Sequence, residues 1–188
     1  MPDQTQEEFA LAAHPVNWYE VAKLLHEDAQ ALHEAPQGLV SQYDGKKFIT
    51  RRTSDRSVYL LAAFALENLI KAFLIYEHPK YIGNGRLSRE ILNRHGLSKL
   101  QQMCKKIPSP KRTLGVFKTL EVGVNSWARY PCATSANRQT DQLAVTPEFW
   151  EEYCRVFDLY SERLENLLGK NWKGPHGIEG KVTFETRA

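Results

Sequence analysis

The chain has 188 residues, of which 42% are hydrophobic, 25% charged and 11% aromatic, and 25 basic against 22 acidic side chains leave a formal charge of +3. That length favours one domain with a single core burying about 70% of the unfolded surface, and argues against a second full domain. Three cysteines, Cys104, Cys132 and Cys154, are odd in number and lack short paired spacing, which excludes a disulfide framework or zinc knuckle and leaves reduced thiols. Three surplus positive charges neither demand nor exclude a nucleic-acid partner.

Residues 1–16 read as an N-terminal extension. The stretch Met1 to Phe9 is polar and acidic, without a basic region leading into an apolar run, so no signal peptide is expected and the cytoplasm is the expected compartment. Asn17 is placed to cap a helix over 17–35, with Glu20 completing a capping box and Trp18, Val21, Leu24, Leu25 and Leu32 at helical spacing. Pro36, Gly38 and Gly45 then punctuate the chain and predict a surface loop.

The next helix runs from Ser54 to His78. Its apolar positions, among them Val58, Leu61, Ala65, Leu69 and Phe73, cover more than half the circumference, which makes it the central buried helix. Glu67, Asn68 and Lys71 interrupt the apolar run from Val58 to Tyr76 and argue against a membrane span. A turn at Ile82-Gly-Asn-Gly85 leads to a short helix capped by Ser88 and running through Arg94. Gly96 separates it from another that carries Leu97, Leu100 and Met103.

Ser109-Pro110 is a favourable start for a helix carrying Leu114, Phe117, Leu120, Val124 and Trp127 as far as Pro131. Gly115 and Gly123 lower its intrinsic stability, so packing must supply it. Cys132 to Val145 reads as a loop. Thr146-Pro147 starts the last helix, whose stripe of Phe149, Tyr153, Phe157, Tyr160, Leu164 and Leu167 ends at Gly169. Residues 170–188 read as a tail packed only locally, with a short strand at Val182 to Phe184. The predicted fold is all-α, an up-and-down bundle of about five helices over 17–169.

Chemistry concentrates in few places. Gly83-Asn-Gly85 neither follows a strand nor has the spacing of a P-loop or dinucleotide loop. His26 and His33, seven apart and each followed by a glutamate, share one helix face and read as exposed histidines on a solvated helix. No metal and no cofactor is expected. Glu67 and Lys71 form an i, i+4 pair in an otherwise apolar helix, where an unpartnered charge would cost several kcal/mol. They are either a salt bridge at the helix edge or part of a cleft in which Glu67 orients a base from another helix. Candidates for that partner are His95, beside the break at Gly96, and Arg129. Arg129 can simply complement a helix C-terminus, or it can bind a phosphate bidentately while Tyr130 stacks on a base.

The string Ala65-Leu-Glu67-Asn-Leu-Ile-Lys71-Ala-Phe-Leu74, followed by His95-Gly-Leu97-Ser-Lys-Leu100, resembles the Glu-x-x-x-Lys and His-x-Leu-x-x-Leu patterns of HEPN-like helical proteins. Arg129-Tyr130-Pro131 is similar to a string in a subset of that family, and the resemblance spans roughly residues 54–168. It implies a four- to five-helix bundle, often a homodimer, of the kind found in toxin–antitoxin, defence and RNA-processing systems. Catalytic relatives are metal-independent endoribonucleases that pair Arg-x(4–6)-His motifs across a dimer cleft. Here no histidine follows Arg129 or Arg138 at that distance, although Arg89 and His95 fit the spacing with five residues between.

The reading that follows is a binding or regulatory protein directed at RNA or a nucleotide, with Glu67, Lys71 and Tyr130 as ligand-binding residues. One alternative is a ribonuclease in which His95 moves the proton and Arg89 or Arg129 stabilises the phosphate. The other is a non-catalytic interaction module that docks a genomically linked partner through exposed Trp150 or Trp172.

Overall fold

The computed structural model describes residues 5–133 and 135–184. Helix α1 (Gln6–Ala12) opens on a capping box in which Thr5 Oγ1 accepts from Glu8 N and the Glu8 carboxylate accepts from Thr5 N. Helix α2 (Pro15–Glu34) follows directly. Its cap is His14, whose Nδ1 accepts from Val16 N at 3.1 Å with Pro15 in the first turn, rather than Asn17. Asn17 donates its side-chain amide to the carbonyls of Leu11 and Ala12 and so ties the two helices together. The stretch anticipated as an extension therefore carries one helix and the start of another.

The segment predicted as a surface loop is a β-hairpin. Strand β1 (Leu39–Tyr43) pairs antiparallel with β2 (Phe48–Arg52), Tyr43 opposite Phe48 and Leu39 opposite Arg52. Asp44-Gly45 begins its turn, with Gly45 at φ +94°, a conformation that suits glycine. Gln37 pins the hairpin base, accepting from Ser54 Oγ and donating to the carbonyls of Leu32 and Ala35.

Helix α3 (Asp55–Glu77) is long and apolar enough to cross a bilayer by length and composition, yet it is buried on most of its surface against α2 and the helices that follow. A two-residue hairpin, β3 (Ile82–Gly83) with β4 (Arg86–Leu87), turns through Asn84 and Gly85, both at positive φ. Then come α4 (Arg89–Leu92), capped by Ser88 as the sequence indicates, and α5 (Leu97–Met103). Helix α6 (Thr113–Ser126) starts three residues after Pro110, and α7 (Pro147–Leu168) is capped by Thr146, whose hydroxyl accepts from Phe149 N at 3.2 Å.

Among the described residues the protein is mainly helical, and its strands form three two-stranded hairpins. The core lies around α3, with Phe73, Phe117 and Tyr160 in edge-to-face contact. Gln101, only 4% exposed, donates to Tyr160 Oη at 2.6 Å, which satisfies the buried amide.

Residues after Gly169 do more than pack locally. The third hairpin, β5 (Trp172–Lys173) with β6 (Glu179–Gly180), places Trp172 against the His14 ring, and its indole N–H donates to Tyr76 O at 3.3 Å. Val182 lies just beyond it, its N–H donating to Leu168 O, and forms no strand. Trp150 and Trp172 are buried at 9% and 3% exposure, so neither ring is offered to a partner. His26 and His33 are not on a solvated face either: they stack on Phe157 and Trp150 of α7, at centroid distances of 4.0 and 4.4 Å.

Candidate functional site

Three elements converge on one small cleft. Helix α3 contributes Ala63, Phe64 and Glu67 from one face, the turn into α5 contributes His95 and Gly96, and α6 contributes Glu121, Val124 and Asn125. Arg129, just past the end of α6, completes the lining. Its guanidinium lies 5.9 Å from the centroid of the Phe64 ring, a cation–π contact that holds it against α3.

At the centre is a carboxylate with two partners. Glu67 Oε1 accepts from Lys71 Nζ at 2.7 Å and lies 3.0 Å from His95 Nδ1. Glu67 and Lys71 are buried, at 8% and 4% exposure, so the pair is an interior charge pair and not one at the helix edge. An ionised carboxylate only accepts, so His95 Nδ1 carries the proton in this contact. That fixes the tautomer and orientation of the ring and leaves Nε2, on a side chain 57% exposed, available to a ligand.

Glu121 is a second acid at the cleft, and one of its oxygens is engaged. Gly96 has no side chain with which to cap α5, and Glu121 Oε1 takes that role from α6 by accepting from Ser98 N at 2.8 Å. The contact locks the His95-Gly96 turn onto α6. Nothing in the local sequence signals it, because the capping residue comes from a helix 23 positions downstream.

Of the residues singled out in the sequence, Glu67, His95 and Arg129 come together. Lys71 sits behind Glu67 and does not line the cleft. Tyr130 is exposed beside Arg129, and its carbonyl accepts from Arg56 at 3.5 Å. Arg89 is exposed on α4 and lines neither the cleft nor the adjoining recess.

The cleft encloses about 130 Å³, well below the ~300 Å³ of small cofactor pockets. It opens into a recess of about 450 Å³ lined by Arg94, His95, Lys99 and Asn125. That shape takes a compact anionic group at the cleft with the rest of a larger ligand lying outside. The polar groups on offer are the cations of Arg129, Arg94 and Lys99, which suit a phosphate, the Asn125 amide, the Glu121 carboxylate, and Nε2 of His95, which can accept from a hydroxyl. Comparison of the chain with models of protein families, with curated proteins and with solved structures returns no match, and the chemistry of the cleft is read from its own geometry.

Proposed function

We propose that the protein is a HEPN-like helical protein that binds RNA or a nucleotide, with Arg129 pairing with a phosphate and Nε2 of His95 accepting from a ribose hydroxyl beside it. The observation that carries this reading is the Glu67-fixed imidazole facing the same cleft as an arginine whose guanidinium is free to pair with an anion. Lys71 acts through Glu67, neutralising the buried carboxylate, and Tyr130 stands beside Arg129 as a stacking surface for a base. A homodimer in a toxin–antitoxin or defence module is the setting the motif resemblance suggests.

A second reading is favoured by the same hydrogen bond. A carboxylate on Nδ1 holds the ring as general bases are held, so Nε2 of His95 is placed to take a 2′-hydroxyl proton while Arg129 stabilises charge on the phosphate. Arg89, standing off the cleft, has no part in that scheme.

The test is incubation of the purified protein with mixed structured and unstructured RNA in EDTA, alongside His95→Ala and Arg129→Ala. Filter binding of the same RNA is followed in parallel. Binding without cleavage that weakens at least tenfold in Arg129→Ala supports the first reading. Cleavage abolished in His95→Ala supports the second, and RNA that neither binds nor breaks overturns both.

A further inference from the structure

The hairpin β1–β2 is exposed along both strands, with only Ile49 and Arg51 part-buried. Its strands alternate, so Leu39, Ser41 and Tyr43 share one face with Phe48, Thr50 and Arg52, and all six are exposed. Leu39, Tyr43 and Phe48 stand at 67%, 57% and 72% exposure. The two rings are neighbours, with centroids 5.3 Å apart, and the Ser41 and Thr50 hydroxyls meet at 2.8 Å behind them. An isolated two-stranded ribbon is marginal in water, and this one carries two aromatic rings on a face that buries neither of them.

Charge points to the occupant. The segment from Leu39 to Arg52 holds Lys46, Lys47, Arg51 and Arg52 against Asp44 alone, an excess equal to the formal +3 of the entire chain. Asp44 is committed to the turn, its Oδ1 accepting from Lys46 N and Lys47 N, both at 2.8 Å. Arg52 stands on the ring face, Lys46 and Lys47 sit in the tip next to Tyr43 and Phe48, and Arg51 is on the opposite face, where it donates to Gln42 Oε1 at 3.5 Å. Aromatic platforms edged by cations suit bases and phosphates of a single strand. A membrane-inserting hairpin would lead with its apolar residues, whereas here the tip is Asp44-Gly45-Lys46-Lys47 and the rings lie behind it.

We propose that this hairpin is a grip for single-stranded RNA, its bases stacking on Tyr43 and Phe48 and its phosphates pairing with the surrounding lysines and arginines. The grip rests on the reading of the cleft as an RNA site and extends it. Asp55 follows the hairpin, and Glu67 lies twelve residues further along α3, about 18 Å. Between them Arg56 hydrogen-bonds Gln142 at 3.0 Å and the Tyr130 carbonyl, so the hairpin base and the Arg129 loop meet on the first turn of α3. One strand can run from the grip to the cleft along Arg52, Arg56 and Arg129.

The experiment is fluorescence anisotropy of a labelled oligouridine in EDTA with the full chain. Tyr43→Ala/Phe48→Ala should weaken binding about 25-fold or more, at ~5-fold or more for each lost stack, while Tyr43→Trp/Phe48→Trp should retain it. Lys46→Gln/Lys47→Gln should make the slope of log affinity against log salt shallower by about 1.4. Equal affinity in the double-alanine variant overturns the grip, as does oligouridine binding that is absent in wild type. Ring-dependent binding to phosphatidylserine vesicles in place of oligouridine overturns it in favour of a membrane surface. His95→Ala/Arg129→Ala separates the two sites: wild-type affinity there with loss in the hairpin variants removes the cleft reading and leaves the grip, and the reverse removes the grip alone.

Discussion

Glu67 anchors two groups of different burial, and their substitutions should separate accordingly. Glu67→Ala leaves the Lys71 ammonium, 4% exposed, without its counter-charge, and the expected cost is about 3–5 kcal/mol in denaturant unfolding. His95→Ala removes a mostly exposed ring and should change stability by less than ~1 kcal/mol while altering RNA binding or cleavage. Replacing the pair together, Glu67→Leu/Lys71→Met, should restore most of the lost stability, because two desolvated charges disappear at once, and still fail to orient His95. The pair and its histidine were legible in the sequence because a charge inside an apolar helix needs a partner. Glu121 was not, since its role depends on which helix packs across from Gly96. A different set of histidines governs acid stability. Burial lowers the pKa of His14, His26 and His33 below the ordinary 6.5, and for His26 nearby Asp158 and Glu27 oppose the shift without reversing it. The unfolded chain then binds more protons than the folded one below pH ~6.5, so stability is full above that pH and falls as pH drops through it toward the lowered folded values. Thermal midpoints should decline from pH 7 to pH 5, and His26→Gln/His33→Gln should flatten that decline.

Helix α6 carries a controlled comparison within one element. A Cβ at Gly123 would meet the Trp127 ring at 3.3 Å and Tyr59 at 3.4 Å, so the glycine is there to let α6 close on α3. A Cβ at Gly115 would meet nothing within 4 Å. Gly123→Ala should therefore destabilise by about 1–3 kcal/mol through overpacking, and Gly115→Ala should stabilise by ~0.5–1 kcal/mol through helix propensity alone. If both substitutions shift the unfolding midpoint the same way, the close approach is not what holds Gly123. The sequence marked both glycines as weak points and could not tell them apart, because propensity is local and the approach of Tyr59 from α3 is tertiary. Helix α7 was plain for the opposite reason: a six-residue apolar stripe between Thr146-Pro147 and Gly169 agrees with its caps at both ends. The β1–β2 hairpin escaped notice because neither face is buried, so no alternation of apolar and polar residues betrays the period of two.

At the scale of the whole molecule, the chain closes on itself through segments that looked dispensable. Helix α1 and the residues after Gly169 have little apolar periodicity of their own, and each gains its order by packing on the other and on the bundle. Trp172 is the fastener: it touches the His14 ring that caps α2, donates to the last turn of α3 at Tyr76, and is 3% exposed. Gly174 lies so close under it that a Cβ there would come within 2.5 Å of the indole. Trp172→Ala is expected to cost about 3–5 kcal/mol, the range for a buried tryptophan, and Gly174→Ala about 1–3 kcal/mol by pushing the ring out while leaving the chain length unchanged. Hydrogen exchange distinguishes this closure from a loosely attached tail. If Trp172 fastens the fold, the most protected amides, those of α3, lose protection in step with global stability in both variants. If only the amides after Gly169 exchange faster while α3 keeps its protection, the C-terminal segment is a local ornament and the bundle stands without it.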